Sequence, residues 1–337
     1  MNLGSMLTGV AMSIALAIAA APIHAEVPPV ADRSPDHVLV WTRDVDKVTA
    51  ILAVKLGFQV RPGGVFGDGV ANRIVRFPNR SYLELLYFAR PPDKLEGGAR
   101  EDYAATAHGT LANNFGIQVA DIDATARQLR DNGWKLDPEI PMTFDPDGPG
   151  PLPAQERTSR IVSFPNAPLT AADMFFIRYK QIELTPMQRA DSEVFTRHPN
   201  GAVRISSVWL LSADPEVDAA RLVHLGFARG EPFVMAELGL RGLRFAAGTG
   251  SILLLKPSGP GSAADALAAR GPQLYGVSIE VADLDRARRI VERGYGQKVT
   301  TYRGVADEAF AAPTYGELGV VIEFHASPNT PKSGGQE

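Results

Sequence analysis

One supersecondary unit is written four times along the chain, and this repeat constrains the fold more than any other feature. Each copy begins with a short β-type run, passes through an Asp-containing turn into a helical stretch of about ten residues, and ends in a glycine beside an aromatic residue. The copies read "HVLVWTRDVDKVTAILAVKLGF", "NFGIQVADIDATARQLRDNGW", "SVWLLSADPEVDAARLVHLGF" and "GVSIEVADLDRARRIVERGYG", and they start at His37, Asn114, Ser207 and Gly276. Repetition of this kind indicates a fold assembled from four similar modules.

The aspartate and the glycine of each copy are explained by helix ends. An aspartate placed where a strand gives way to a helix can accept hydrogen bonds from the free backbone N–H groups of the first turn. A glycine placed where the helix stops suits a left-handed C-terminal cap. The aspartates are Asp44, Asp121, Asp214 and Asp283, and the glycines are Gly57, Gly133, Gly226 and Gly294. We interpret these residues as structural rather than as members of a functional site.

Further strands follow each helix. Modules one and two share nearly the same sequence there, "RIVRFPN" at 73–79 and "RIVSFPN" at 160–166, and module four ends in "GELGVVIEF". The unit is therefore a strand, a helix and about three more strands. We predict an α+β protein of four βαβββ modules, paired into two domains at residues 34–190 and 200–328 and followed by a flexible tail at 329–337.

The first 25 residues, "MNLGSMLTGVAMSIALAIAAAPIHA", carry no charged side chain. The apolar run from Leu7 to Ala21 is shorter than the roughly 20 residues that a membrane span needs. Ile23 and Ala25 before Glu26 are typical of a cleavage site. We expect residues 1–25 to be a signal peptide, and the mature protein to be periplasmic or secreted without membrane attachment.

Composition limits the classes of partner. The 337 residues are 45% hydrophobic, which suffices for two domains, and the net charge of -4 comes without any Lys/Arg block for nucleic acid. The absence of cysteine excludes disulfides, thiolate metal ligands and a Cys nucleophile. No phosphate-cradling loop or dinucleotide fingerprint is present, so we expect no nucleotide cofactor. A small-molecule substrate or ligand is the expected partner, and the oligomeric state is not specified.

Strand, helix and three strands, repeated and paired, resemble the vicinal oxygen chelate fold of glyoxalase I, the extradiol dioxygenases and the fosfomycin resistance proteins. The stretches "DHVLV", "GVANRIVRFPNRSYLEL" and "HPNGAVR" are similar to a bacterial group described as glyoxalase-like. The resemblance covers about residues 36–325 and implies that two modules close a curved sheet around one cavity. It also implies metal ligands on the first and last strands of a module, typically a His and a Glu. The fold hosts several reactions and binding functions, so no single reaction is implied.

Module one matches this ligand pattern. His37 lies on its first strand, and Glu84 lies on its last strand within the apolar run "YLELLYF", where an unpaired carboxylate is costly. The resemblance implies that His37 and Glu84 bind a divalent metal such as Zn, Mn, Fe or Ni, or act directly as catalytic acid–base groups.

Module two departs from the pattern. The fixed offset from its capping aspartate places Asn114 where module one has His37, and alignment of "MFFIRY" with "VVIEF" places Arg178 where module one has Glu84. Arg178 cannot bind a metal, but its planar fork suits carboxylates or phosphates. We expect Arg178, Asn114 and Asn72 of "GVANRIVRF" to bind and orient the substrate.

The C-terminal modules depart further. Ser207 and Gly276 replace the histidine, and only Glu323 keeps the carboxylate, with His325 two residues on and therefore on the same face. We expect this domain to be mainly structural, with Glu323 and His325 as a weaker second candidate site. His198, followed by turn residues, is interpreted as a structural hinge between the domains.

Three partners remain open for Glu84. It could share a metal with His37, form a buried ion pair with Arg178, or act without metal as a general base of raised pKa with His37 as its proton partner. We predict an exported enzyme for a small organic molecule, carboxylate-bearing if Arg178 binds it, such as a metal-dependent lyase or isomerase. The alternatives are a non-catalytic protein that binds or sequesters a small molecule in the same cavity, and a purely structural module.

Overall fold

The computed structural model describes residues 33–139, 142–143, 157–179 and 185–327. The predicted signal peptide at 1–25 and the predicted tail at 329–337 lie outside these residues. Within the described ranges, no helix combines the length and the apolar character that crossing a membrane requires.

The first two modules form one mixed sheet of eight strands, in the order β2-β3-β4-β1-β5-β8-β7-β6. The strands are β1 Ser34–Thr42, β2 Arg61–Val65, β3 Val70–Arg76, β4 Tyr82–Phe88, β5 Leu111–Gln118, β6 Met142–Thr143, β7 Arg157–Val162 and β8 Asp173–Tyr179. In each module the first strand lies parallel to the last, and the antiparallel pair β1·β5 joins the two modules at the centre.

Modules three and four repeat this arrangement in a second eight-stranded sheet, in the order β10-β11-β12-β9-β13-β16-β15-β14. Its strands are β9 Ala202–Leu211, β10 Glu231–Met235, β11 Leu240–Ala247, β12 Gly250–Pro257, β13 Gln273–Val281, β14 Thr301–Gly304, β15 Asp307–Ala312 and β16 Val321–Ala326. Strand for strand, the order equals that of the first sheet. The predicted α+β class and the pairing of four βαβββ modules are confirmed.

Helices connect the strands within and between the modules. They are α1 Val45–Ala50 with a π-helical continuation Ile51–Lys55, α2 Ala99–Ala105, α3 Ile122–Asp131, α4 Pro186–Thr196, α5 Pro215–His224, α6 Ser262–Arg270, α7 Leu284–Tyr295 and α8 Tyr315–Leu318. Short 3₁₀ turns lie at Pro92–Lys94, Thr106–His108 and Ala236–Leu238. All four predicted aspartate caps are present, and each carboxylate accepts a backbone N–H two or three residues on.

The glycines behave as predicted in three modules and differently in the fourth. Gly57, Gly133 and Gly226 have φ of 74°, 85° and 95°. The prediction for Gly294 is wrong, because α7 continues to Tyr295 and ends at Gly296, which has φ of 65°. Gly294 instead permits a close helix approach, since a Cβ there would lie 2.4 Å from the Cα of Lys55.

Side-chain alternation divides each sheet into two faces. One face of each sheet packs, with the helices, into a single apolar core that both sheets share; it includes Val38, Leu83, Phe176, Val208 and Val277. We call the opposite faces the inner faces. Each inner face holds its own apolar cluster, which in the first sheet includes Leu39, Trp41, Leu86, Phe175 and Ile177.

His198 lies where the chain passes from the first sheet to the second. Its Nδ1 accepts a hydrogen bond from the backbone N–H of Gln59 at 2.9 Å, and its Nε2 donates to the carbonyl of Arg76 at 2.9 Å. Burial lowers the pKa of His198 to about 4. A neutral ring with both nitrogens bonded to the backbone has the structural role that the sequence suggests.

Candidate functional site

The register of the first sheet brings His37 and Glu84 together. Strand β1 runs parallel to β4, with His37 beside Tyr82 and Leu39 beside Glu84. Both side chains lie on the inner face, both are 0% exposed, and the His37 Nε2 lies 3.9 Å from the Glu84 Oε2. Two sequence-predicted site residues therefore face one shared point.

The other nitrogen of His37 is held by Asp36. The Nδ1 lies 2.5 Å from the Asp36 Oδ1, which also accepts a hydrogen bond from the Tyr179 hydroxyl at 2.5 Å. Because a carboxylate accepts, Nδ1 carries the donated proton, so in the neutral imidazole the lone pair is on Nε2, which faces Glu84. Tyr82 stacks on the ring at 4.2 Å between centroids, which fixes its plane.

Glu84 is also held by a hydrogen bond, but through only one of its two carboxylate oxygens. Its Oε1 accepts a hydrogen bond from the Asn72 Nδ2 at 2.7 Å, while the Asn72 Oδ1 accepts from the backbone N–H of Gly64 at 2.8 Å. The backbone donor thus sets the orientation of the Asn72 amide. Gly63 leaves room for it, since a Cβ at Gly63 would lie 1.8 Å from the Asn72 Oδ1.

Burial raises the pKa of Glu84 to about 7. Nearby His37 and the hydrogen bond from Asn72 favour the charged form and oppose this rise, and Asp36 adds to it. A carboxyl group that titrates near neutrality can both accept and return a proton under physiological conditions. The raised pKa agrees with the third sequence-based alternative, in which Glu84 acts as a general base.

Unpaired buried polar atoms mark this part of the inner face. Within the described part of the chain, the His37 Nε2, the Glu84 Oε2 and both amide atoms of Asn114 have no hydrogen-bond partner. Asn114 belongs to the same row across the sheet, because Leu39 lies beside Glu84 on one side and beside Asn114 on the other. Buried polar groups are normally paired, so several unpaired polar atoms on one face of the sheet indicate a ligand-binding site.

A divalent metal would find part of a ligand set here. The His37 Nε2 lone pair and the Glu84 Oε2 are suitable donors, and Asp36 is the carboxylate that commonly orients a metal-binding histidine. Across the described ranges, no three His, Cys, Asp or Glu side chains are grouped to hold a metal. Asn114 supplies a further amide oxygen on this row, with Asp173 beside it on β8, and other positions would fall to water or substrate oxygens.

The structure contradicts the predicted placement of Arg178. Gly116 lies beside Phe175 in module two as Leu39 lies beside Glu84 in module one, so Phe175 occupies the position equivalent to Glu84. Arg178 is three residues further on, and an odd shift puts its side chain on the opposite face. Its Nη1 approaches the carbonyl of Tyr179 at 3.4 Å. The proposed ion pair between Glu84 and Arg178 is therefore wrong, and Arg178 does not join the site.

Asp36 and Tyr179 are the site residues that the sequence reasoning missed. Strict alternation would turn Asp36 away from the face that bears His37. A register irregularity between Pro35 and His37 lets the Asp36 carboxylate reach the imidazole instead. Tyr179 comes from the last strand of module two, and burial raises its pKa, so it stays a hydrogen-bond donor. The adjacency of Asp36 and His37 was the only sequence signal available.

The second sheet holds a glutamate at the equivalent position with a different environment. Glu323 lies beside Ser278, as Glu84 lies beside Leu39. Its Oε2 accepts from the Tyr302 hydroxyl at 2.6 Å and its Oε1 from the Ser278 hydroxyl at 2.8 Å. Burial raises the pKa of Glu323 to about 7.

The histidine of the second candidate site has partners on both nitrogens. The His325 Nδ1 donates to the carbonyl of Ala326 at 2.8 Å, and its Nε2 accepts from the Ser206 hydroxyl at 2.6 Å. Ser207, which replaces the histidine of module one, pairs its hydroxyl with that of Ser251 at 2.7 Å. This constellation is a set of internally satisfied polar groups.

A family model described as a glyoxalase-like domain matches residues 36–226 of this chain. Among solved structures, a triple mutant of 4-hydroxymandelate synthase from Streptomyces coelicolor is similar over 90% of this chain and 95% of its own, with 12% identity and a TM-score of 0.60. A hypothetical protein from Staphylococcus aureus is similar over 87% of this chain and 99% of its own, with 13% identity and a TM-score of 0.53. At these identities the likeness shows the fold alone. No curated protein matches the sequence.

Proposed function

Because this chain belongs to the glyoxalase-like domain family of the vicinal oxygen chelate superfamily, we propose that it is an enzyme acting on a small organic molecule through His37 and Glu84. One observation carries the proposal. The His37 Nε2 and the Glu84 Oε2 are buried, lie 3.9 Å apart and have no other partner among the described residues, while the second polar atom of each is held. The fold does not supply this conclusion, since the superfamily also includes binding proteins.

The pair is suited to moving a proton within a buried substrate. The lone pair of the His37 Nε2 is aimed at the shared point, and Asp36 would stabilise the imidazolium that forms when this nitrogen takes a proton. Glu84, with a pKa of about 7, can act as the partner acid or base. Asn72 keeps the Glu84 carboxyl in place during both states, because its amide is itself held by Gly64.

His37 and Glu84 would also hold a divalent ion such as Zn, Mn, Fe or Ni, with the Asn114 amide oxygen as a further protein donor. Such an ion supplies Lewis-acid stabilisation of negative charge on a substrate oxygen. The roles of Asp36 and Asn72 are the same in either case, namely to fix the imidazole and the carboxylate.

Export belongs to the same proposal. The uncharged apolar segment at 1–25 supports a signal peptide, and the mature enzyme would then act in the periplasm or outside the cell. The mass of the protein recovered from the periplasm of an expressing bacterium tests this. Loss of residues 1–25 is the expected result, and a full-length chain retained in the cytoplasm would contradict it.

The second candidate is a protein that binds or sequesters a small molecule without reaction. It is favoured by module two, in which the positions equivalent to His37 and Glu84 hold Asn114 and Phe175, and neither of these side chains is ionisable. In that case His37 and Glu84 would hold the ligand by hydrogen bonds alone.

Two measurements on the parent protein and on the His37→Ala and Glu84→Gln variants test the proposal. Metal analysis after purification without chelators reports on ion binding. Incubation with a panel of small ketones, 2-oxo acids and 2-hydroxy acids in D₂O reports, by proton NMR, on exchange of carbon-bound hydrogen. Exchange that requires both side chains supports the enzyme. Binding without exchange supports the second candidate. If the parent protein shows no bound metal, no ligand binding and no exchange, His37 and Glu84 do not form the functional site.

A further inference from the structure

Asn114 and Asp173 lie side by side on the inner face of the first sheet, in the row that contains Glu84. They are directly paired between the parallel strands β5 and β8, so their side chains share one face. Asn114 is 2% exposed, and neither atom of its amide has a hydrogen-bond partner among the described residues. The Asp173 Oδ1 accepts a hydrogen bond from the backbone N–H of Met174 at 2.8 Å.

Asp102 on the helix α2 brings a second buried carboxylate near this pair. Ala99 lies three residues earlier, on the same side of the helix, and it is packed in the apolar cluster of the inner face. Asp102 is 6% exposed, and its Oδ2 has no hydrogen-bond partner in the described part of the chain. Asp173 is close enough to repel an ionised Asp102. We call Asp102, Asn114 and Asp173 the acidic cluster.

The charged groups around the acidic cluster are all of one sign. Those of the described residues that act on Asp102 are Glu101, Asp68 and Asp173, and Asp137 acts on Asp173. Burial raises the pKa of both Asp102 and Asp173 to about 7, and the repulsion from these carboxylates adds to the rise. Buried charges are normally paired, and no cation of the described ranges acts on either carboxylate.

The donor and acceptor chemistry of the cluster suits a cation that donates hydrogen bonds. Ionised Asp102 and Asp173 only accept, and Asn114 can add its amide oxygen. A metal ion is less suited, because no three His, Cys, Asp or Glu side chains of the described residues are grouped to hold one. A protonated amine carries one positive charge and three N–H donors, one for each member of the cluster.

We infer that the acidic cluster binds a protonated amine of the substrate, while the reacting part of the same molecule meets His37 and Glu84. This inference rests on the proposed function, and it names the substrate class as a small organic ammonium compound. Asn114 and Asp173 are two and three strands from Glu84, so roughly 10–14 Å separates the backbone positions at the usual strand spacing. The amine and the reacting group are therefore at different ends of the substrate.

The binding of benzylammonium and of benzyl alcohol to the parent protein tests the charge of the ligand. The two probes have the same ring and nearly the same size, but only benzylammonium is a cation. In calorimetric titrations at pH 8, benzylammonium should bind at least about tenfold more tightly than benzyl alcohol, because charge-assisted hydrogen bonds are stronger than neutral ones. Equal affinities, or no measurable binding of benzylammonium, would overturn the inference. Displacement of benzylammonium by Ca²⁺ would also overturn it and would assign the cluster to a metal ion.

The Asp102→Asn and Asp173→Asn variants test whether the amine binds at the acidic cluster. Each removes one carboxylate charge with almost no change of shape, so each should weaken benzylammonium binding at least about tenfold and leave benzyl alcohol binding unchanged. Glu101→Gln is the matched control, because it also removes one negative charge from α2 but at an exposed position. An equal loss in Glu101→Gln, or no loss in the two Asn variants, would contradict binding at the cluster.

The melting temperature without any amine distinguishes a ligand site from a structural role of Asp102. At pH 8 both carboxyl groups are ionised and repel each other, so Asp102→Asn should melt at a higher temperature than the parent. A lower melting temperature would show that Asp102 stabilises the fold, and it would count against the inference.

The His37→Ala variant separates this inference from the proposed function. His37 is not a member of the acidic cluster, so His37→Ala should bind benzylammonium as tightly as the parent does. The proposed function fails if exchange of carbon-bound hydrogen does not require His37 and Glu84. The inference about the amine fails if benzylammonium binding does not require Asp102 and Asp173.

Discussion

Glu84 of module one and Glu323 of module four occupy the same position on the last strand of their modules, yet they are held differently. Both are buried on an inner face, and burial raises the pKa of both to about 7. Glu323 uses both oxygens on Tyr302 and Ser278, whereas Glu84 uses one on Asn72 and leaves the other facing His37. A carboxylate that recurs at the same place in two modules can thus have both oxygens paired in one copy and only one paired in the other.

The difference comes from the neighbours rather than from the glutamate. In the second sheet, a tyrosine hydroxyl and a serine hydroxyl supply the donors that a buried carboxylate needs, so nothing further is required for stability. In the first sheet, Leu39 stands where Ser278 stands, and the facing group is a histidine whose other nitrogen is already bonded. Among the residues that the structure describes, the Glu84 Oε2 and the His37 Nε2 remain unpaired, which is costly in a core and useful in a binding site.

The largest expected effect is a difference in reaction rate between the Glu84→Gln and Glu323→Gln variants. Glu84→Gln removes the carboxyl that faces the His37 Nε2. It should therefore lower the rate at which carbon-bound hydrogen of the substrate exchanges by about 10²- to 10⁴-fold, the usual contribution of a general acid or base. Glu323→Gln should change this rate little. The rate of deuterium incorporation in D₂O is the measurement. Equal losses in the two variants would show that the sheets do not differ in function.

The raised pKa values of Glu84 and Glu323 should both contribute to the pH dependence of the unfolding free energy. A carboxyl whose pKa rises from 4.5 to about 7 on folding binds its proton more tightly in the folded state, so the free energy of unfolding falls as pH rises from about 4.5 to 7 and is level above. Each such group accounts for about 3 kcal/mol. Glu84→Gln and Glu323→Gln should each remove part of this slope in urea titrations. An unchanged slope in both variants would contradict the raised pKa values.

Stabilisation by a divalent ion should distinguish Glu84 from Glu323. Since ion binding requires an ionised Glu84, saturating Zn²⁺ or Mn²⁺ should stabilise the parent and Glu323→Gln more at pH 8 than at pH 5, and should not stabilise Glu84→Gln.

The smallest expected effects are those of the Tyr302→Phe and Tyr179→Phe variants. Tyr302→Phe removes a donor from the buried Glu323 and should cost about 1–3 kcal/mol of unfolding free energy without a change in reaction rate. Tyr179→Phe removes a donor from Asp36, and it should alter the pH profile of the reaction because Asp36 holds the His37 imidazole. Urea unfolding and a pH–rate profile measure the two effects. A shifted profile in Tyr302→Phe alone would reverse the assignment of the sites.

Much of the fold and half of the site could be predicted from local signals. The Asp caps, three of the four glycine stops and the repeated strand sequences predicted four modules. The resemblance to the vicinal oxygen chelate fold paired His37 on the first strand of module one with Glu84 on its last strand. These features depend on spacing along one strand or one helix end. They carry over to the structure because side-chain alternation and helix capping are local properties.

The sequence by itself predicted the four modules, and the family resemblance that it carries predicted their pairing and the candidate site residues His37 and Glu84. Tertiary structure alone decided that Phe175 rather than Arg178 occupies the position of module two that is equivalent to Glu84, because register between strands has no local signal. It also decided that Asp36 turns toward His37, since a strand irregularity overrides alternation. Finally, it placed Leu95, from the segment between β4 and β5, in the apolar cluster of the inner face, because the path of a connecting segment depends on which apolar surface it can bury.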